Sequence, residues 1–294
     1  MKIVQSDELQ WQRGLEHRGG TFHFRRLLDG EEGRIDNFHL TFGKMGGDFY
    51  SPRHRHNFEQ VRFQLKGTLD YDRDGKLTAG MVGYFPEGAF YGPQSQAPED
   101  EPWTIVLQCG GASGSGYLSR DEVKAGMDAL EPFGEFEDGV FKRREAPRGK
   151  KSMDGFQAIW EHHYGRPLEF PTPRYPGPIM MDPENYDWLP VEEAPGACQK
   201  HLGSFTECNT ETGFVKLDPG TRWTAAGKTI LFTISGKGTV DGEELREYTT
   251  IYLDFGETVE IAAEDPCEML RLGLPDLRPL MAVQGSQVTA SAAE

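Results

Sequence analysis

Val61-Arg62-Phe63-Gln64-Leu65-Lys66-Gly67 can be laid on Ile230-Leu231-Phe232-Thr233-Ile234-Ser235-Gly236, and around this pair the chain repeats itself. Asp-Gly pairs stand at 74–75 and 241–242, and Tyr84-Phe85-Pro86-Glu87-Gly88 falls on Tyr252-Leu253-Asp254-Phe255-Gly256. The offsets of 169, 167 and 168 residues are nearly constant, the mark of an internal duplication. Each copy consists of short alternating apolar and polar runs broken by glycine and proline, the pattern of antiparallel strands. Strands are predicted at 21–28, 37–42, 60–71, 80–85 and 103–109, and again at 214–217, 229–235, 238–240, 249–253 and 269–272. Asp74-Gly75 and Asp241-Gly242 suit hairpin turns, because a primed two-residue turn needs positive φ.

Between the copies the period changes. Ser119 and Glu122 form a capping box ahead of Val123, Met127 and Leu130, and Pro132 ends that helix. A second helix is predicted over 156–163, with Phe156, Ile159, Trp160 and His163 on one face and Gly165 past its end. Residues 166–196 carry eight prolines and read as a semi-rigid connector. The expected organisation is a first barrel over 1–118, a helical insert over 119–166, the connector over 167–197, a second barrel over 198–278 and a mobile tail over 279–294.

Composition agrees with an all-β chain: 36 glycines and 19 prolines among 294 residues favour short elements and turns, and 37% apolar residues suffice for a core. There are 31 basic against 47 acidic residues, a net charge of −16, which argues against nucleic acid and anionic membrane as partners. No apolar run has the length of a signal core or a membrane span, so a soluble cytoplasmic protein is expected. The cysteines, Cys109, Cys198, Cys208 and Cys267, lack CxxC spacing and read as reduced thiols.

The chemistry points to Pro52-Arg53-His54-Arg55-His56-Asn57-Phe58-Glu59-Gln60. Residues two apart on a strand share a face, so His54 and His56 can turn their imidazoles to one point, as a divalent metal requires. The same parity puts Phe58, Gln60, Arg62 and Gln64 on that face and Val61, Phe63 and Leu65 on the other. A buried Arg62 calls for a carboxylate or phosphate partner, which suggests an anionic substrate; a solvated polar face fits the parity equally well. For the alternation of Asn37, His39 and Thr41 with Phe38, Leu40 and Phe42 the solvated reading is preferred. Gly110-Gly111-Ala112-Ser113-Gly114-Ser115-Gly116 lacks a P-loop Lys-Ser/Thr and is expected to be a flexible link or a lid. His162 and His163 project about 100° apart on a helix and cannot chelate together.

These residues resemble the cupin superfamily, specifically a bicupin: His54, His56, position 60 and Gly67 match its first motif, and Pro86 and Gly88 match part of its second. The resemblance implies two double-stranded β-helix (jelly-roll) barrels and a metal site in the first. Gln60 stands where the family has glutamate, and Tyr91 where it has the closing histidine. In the second copy Trp223, Ala225, Thr229 and Val259 occupy the ligand positions, which predicts no metal there. The expected site has His54, His56 and Gln60 as ligands to a first-row divalent metal (Fe, Mn, Ni or Zn), with Glu59 able to exchange with Gln60 through a bulge. Tyr91 is expected as an acid–base group or fourth ligand, with Arg62, Gln64, Tyr84 and Phe90 around the substrate. The expected function is a metal-dependent enzyme, of dioxygenase or isomerase type, acting on a small anionic or aromatic molecule. The alternative is a non-catalytic small-molecule binder that has lost its metal. The apolar face of Val61, Phe63 and Leu65 suggests a homodimer.

Overall fold

The computed structural model describes residues 1–14, 19–95, 101–145 and 150–281. The tail expected to be mobile lies, from residue 282 onward, outside the described residues. Two compact units are present, one formed by Trp11–Met180 and the other by Met1–Gln10 with Met181–Glu294.

In the first unit a mainly antiparallel sheet runs in the spatial order Val82–Phe85, Glu59–Lys66, Trp103–Cys109, Phe38–Met45, Phe22–Asp29, with a small hairpin of Thr68–Asp70 and Lys76–Thr78. The second unit repeats this order with Thr249–Leu253, Thr229–Ser235, Cys267–Gly273, Glu211–Leu217 and Ala197–Ser204. Its opposing sheet holds Arg222–Ala226, Thr258–Ala263, Gly238–Val240 and Glu243–Leu245. Thus the duplication read from the sequence is a duplication of topology, and both units are cupin-type jelly rolls.

Glycine chemistry decides several boundaries. The run expected at 60–71 breaks at Gly67, whose φ of 70° lies in the left-handed region that glycine enters without cost. Asp241-Gly242, with φ of 50° and 84°, forms the expected two-residue hairpin. Asp74-Gly75 does not: Asp70 pairs with Lys76, so five residues connect the strands, and the Tyr71 ring covers Gly75, 2.5 Å from where a Cβ would stand.

The insert's helices are Arg120–Leu130, with the predicted Ser119–Glu122 capping box, and Gly155–Tyr164, ended by Gly165 at φ 64°. They pack closely at Gly126, where a Cβ would sit 2.6 Å from Ile159. Their apolar faces join Phe58, Tyr117 and Leu118 in one cluster, so the insert completes the first barrel's interior. A hairpin and third strand, Gly134–Glu137, Val140–Arg143 and Ser152–Asp154, accompany them.

The two interiors differ. Between the sheets of the second unit lie Val215, Leu217, Leu231, Val240, Ile251, Leu253, Ile261 and Met269, a packed apolar core. The first unit instead buries polar side chains, among them His39, Thr41, Gln60, Arg62 and Gln64. Of the face expected to need cover, Val61 and Phe63 are buried within the chain and Leu65 is half-buried. Among the described residues no helix is long and apolar enough to cross a membrane.

Candidate functional site

Strand register aligns side chains in rows across the first barrel. One row is Asp29, His39, Gln108, Gln60 and Phe85, and the next is Thr41, Val106, Arg62 and Gly83. Because side chains alternate between faces, His39, Thr41, Gln60, Arg62, Gln64, Thr104 and Gln108 all stand on the interior side, and Phe38, Leu40, Val61, Phe63 and Leu107 on the other. The solvated reading of Asn37, His39 and Thr41 is therefore corrected: all three are buried, because the insert roofs a face that strand parity alone leaves open.

The motif residues converge. The His54 and His56 rings lie 4.8 Å apart, and the Tyr91 ring is 4.4 Å from His54. Phe58 stacks on His56 at 4.4 Å and Phe156 meets its edge, which fixes that imidazole from two sides. His54 is tied to Tyr91 through a pair of backbone hydrogen bonds, which hold the phenol beside both imidazoles.

Hydrogen bonds assign the proton positions. Arg62 Nε and Nη2 both reach one Gln60 atom, at 3.0 and 2.8 Å. A guanidinium can only donate, so that atom is the amide oxygen. The Gln60 nitrogen then faces His56 Nδ1 at 2.7 Å and can only donate to it, so Nδ1 offers a lone pair and the neutral ring carries its proton on Nε2. The Tyr91 hydroxyl is 2.9 Å from the same Nδ1, 3.1 Å from Gln60 Nε2 and 3.3 Å from Arg62 Nη2. His54 has the opposite tautomer: Nδ1 donates to the Pro52 carbonyl at 2.6 Å, which leaves the lone pair on Nε2. The pair thus combines one acceptor and one donor nitrogen.

A divalent cation held as the resemblance implies needs a lone pair from each histidine and an oxygen from position 60. The residues do not fit that role in this arrangement. Gln60 Oε1 accepts twice from Arg62, His56 has its Nε2 protonated, and a fixed positive charge stands directly behind the amide. Among the described residues no three His, Cys, Asp or Glu side chains gather as a metal cluster. Glu59 does not exchange with Gln60: it stays on the opposite face, close enough to raise the Tyr84 phenol's pKa together with burial, the larger cause.

The substrate residues separate into two groups. Arg62 is only 7% exposed; its guanidinium lies over the Phe85 ring at 4.4 Å and beside Tyr91. Gln64 is deeper and donates to the Lys66 carbonyl at 2.7 Å. Tyr84 and Phe90, expected as apolar walls, do not line the cavity. Tyr84 shares the outer face with Val61 and meets Tyr175, whereas Phe90 is 41% exposed with Arg53 and Arg55 stacked on its ring. The residue that serves Arg62 is Phe85, one position along, which the parity of its strand places opposite Gln60.

These side chains border a cavity of about 160 Å³, comparable to one that holds a benzene ring. Its apolar walls are Phe22, Phe49, Phe58, Phe156 and Met45, and its polar lining includes His54, His56, Gln60, Arg62, Gln108 and Arg120. Among the described residues no Asp or Glu lines it. Arg120, the first residue of the capped helix, carried no sequence signal; burial pushes its guanidinium pKa down. The Gly110–Gly116 segment is not part of the lining. It is pinned to Glu87, which accepts from the Ser113 amide at 3.0 Å and hydroxyl at 2.6 Å.

Fold and site together define an all-β chain of two cupin-type barrels, one with an apolar core and one with a cavity bordered by two arginines. No family model matches the chain, and no curated protein matches it in sequence. Solved structures do match it in fold. A "putative dioxygenase" from Nostoc punctiforme superposes with a TM-score of 0.63 at 11% identity, covering 94% of this chain and 83% of the other. Oxalate decarboxylase from Bacillus subtilis gives 0.53 at 14%, covering 93% and 76%. The bacterial pirin YhhW of Escherichia coli, in complex with nickel(II), gives 0.52 at 10%, covering 93% and 98%. At such identities the likeness establishes the fold.

Proposed function

We propose that the first barrel binds a small organic anion, with an aromatic carboxylate as the class that best suits its walls, and that it does so without a metal. One observation carries the reading: in a chain of net charge −16, the described lining of this cavity has two arginines and no carboxylate. The two guanidinium charges favour an anion in the cavity, and the surrounding phenylalanines suit a ring. The test uses protein purified without an affinity tag. Elemental analysis should find metal well below one atom per chain, and benzoate should raise the melting temperature in proportion to ligand linkage. Arg62→Met should weaken that binding about tenfold or more, the worth of a charge-assisted hydrogen bond. Benzoate and acetate both failing to stabilise the protein would overturn the reading.

A second reading, a metal-dependent enzyme using His54, His56 and Gln60 with Tyr91 as acid–base group, is supported by the convergence of the two imidazoles and by the nickel complex of the pirin neighbour. It requires His56 to exchange tautomer. One metal per chain, lost in His54→Ala, would select it over the first.

A further inference from the structure

Arg26 and Arg120 are close enough to repel each other, yet only Arg26 is neutralised in place. Its Nε donates to Asp29 Oδ2 at 2.6 Å and its Nη2 to Asp121 Oδ2 at 2.9 Å. Asp29 gives its other oxygen to His39 Nδ1, also at 2.6 Å. Both nearby carboxylates are thus committed elsewhere and act on Arg120 only through space. Among the described residues the Arg120 side chain makes no hydrogen bond or ion pair. Burial, the largest cause, pushes its pKa down, the sign of a charge that the protein alone supports poorly. Charges taken out of water are normally paired, and one left without a partner is costly.

This guanidinium can be reached. Arg120 lines the cavity, is half-buried and has no nitrogen sealed inside the protein. It lies over the Phe24 ring at 3.7 Å, and Phe24 stacks on Phe22, a wall of the same cavity. A guanidinium resting on a ring keeps the N–H groups along its edge free, and that edge matches a carboxylate bidentately. Arg62 differs, because its Nε and Nη2 are already bonded to Gln60 and Tyr91.

Placement adds a consequence. Arg120 opens the capped helix Arg120–Leu130, which also brings Val123 to the lining, and Phe156 comes from the insert's other helix. Phe22, Thr41 and Met45 reach the same cavity from strands of the barrel. A ligand gripped by Arg120 therefore touches insert and sheet together.

We infer that Arg120 is the ligand-binding residue that takes the carboxylate of the bound anion, and that the ligand thereby fastens the helical insert to the first barrel. This rests on the anion-binding reading above and names its anchor.

The probes are benzoate and benzamide, a neutral molecule of nearly the same shape, titrated calorimetrically against the full chain. The wild type should prefer benzoate about tenfold or more, the return for hydrogen bonds between charged partners. In Arg120→Met that preference should collapse while benzamide affinity stays, which reports an intact cavity. Arg120→Lys, which keeps the charge without the fork, should retain part of it. Hydrogen exchange supplies a second readout: benzoate should slow exchange across 120–130 in the wild type and not in Arg120→Met. A preference for benzoate that survives Arg120→Met, or helix amides indifferent to benzoate in the wild type, overturns this inference and leaves the anion reading standing. Equal binding of the two probes, or no binding of either, overturns both.

Discussion

Gln60→Glu tests the hydrogen-bond logic of the first barrel at its centre. The present amide spends its oxygen on Arg62 at 3.0 and 2.8 Å and its nitrogen on His56 Nδ1 at 2.7 Å. Glutamate keeps the first contact and strengthens it into a buried, charge-assisted ion pair through one oxygen. At the second it sets a carboxylate oxygen against an imidazole lone pair, which is repulsive. The ring escapes by moving its proton from Nε2 to Nδ1, where it gains a hydrogen bond to a charged acceptor worth about 1.5–3 kcal/mol. The tautomer equilibrium should therefore shift by about 10- to 150-fold. With Nε2 unprotonated on both His54 and His56, the variant should also bind nickel(II) or zinc(II) more tightly than the wild type. Nitrogen NMR of histidine-labelled protein reports the tautomer directly, and metal titration reports the consequence. A wild-type spectrum with His56 already protonated on Nδ1 would refute the assignment, as would a variant whose tautomer does not change.

Acid should destabilise the fold through the Asp29–His39 pair. Burial keeps the folded-state pKa of His39 below its ordinary value of about 6.5, so below that pH the unfolded chain binds the extra proton and stability falls, by up to about 1.4 kcal/mol per pH unit. Asp29 adds the same sign lower down: although burial pushes its pKa up, hydrogen bonds from His39 and Arg26 hold it below the usual carboxylate range, so its contribution is lost as pH drops through that range. Melting temperature measured from pH 7.5 to 5.5 should fall, and less steeply in His39→Gln; parallel slopes would contradict the account. Gly126→Val should cost about 1–3 kcal/mol, because its Cβ would stand 2.6 Å from Ile159 where the two insert helices touch. A thermal melt unchanged from wild type would show that the helices separate freely there.

What the sequence disclosed follows from what local pattern can encode. Trp103–Cys109, Thr229–Ser235, Gly238–Val240 and Thr249–Leu253 have the ends that apolar alternation and flanking turn residues predict. Arg222–Ala226 was silent, since three of its five residues are exposed and its alternation, Trp223 and Ala225, spans only two apolar positions. At the site, parity brought His54, His56, Gln60 and Arg62 to one face. It could not reveal that Arg62 turns the Gln60 amide, because that choice is made by side-chain donors and not by spacing. Nor could it reveal the burial of His39, 2% exposed and near Arg120, which lies more than 80 positions away. The duplication then supplies an internal control. At the offset of 169 residues, Arg62 corresponds to Leu231, His56 to Ala225 and Gln60 to Thr229, and the second barrel closes over an apolar core with the same strand order. The topology therefore does not require a polar interior. Burying an arginine, three histidines and a row of amides sacrifices packing that the other copy achieves, and such sacrifices concentrate where a protein meets its ligand. The buried polar side chains of the first barrel are thus a reason to look for function there that is independent of any metal motif.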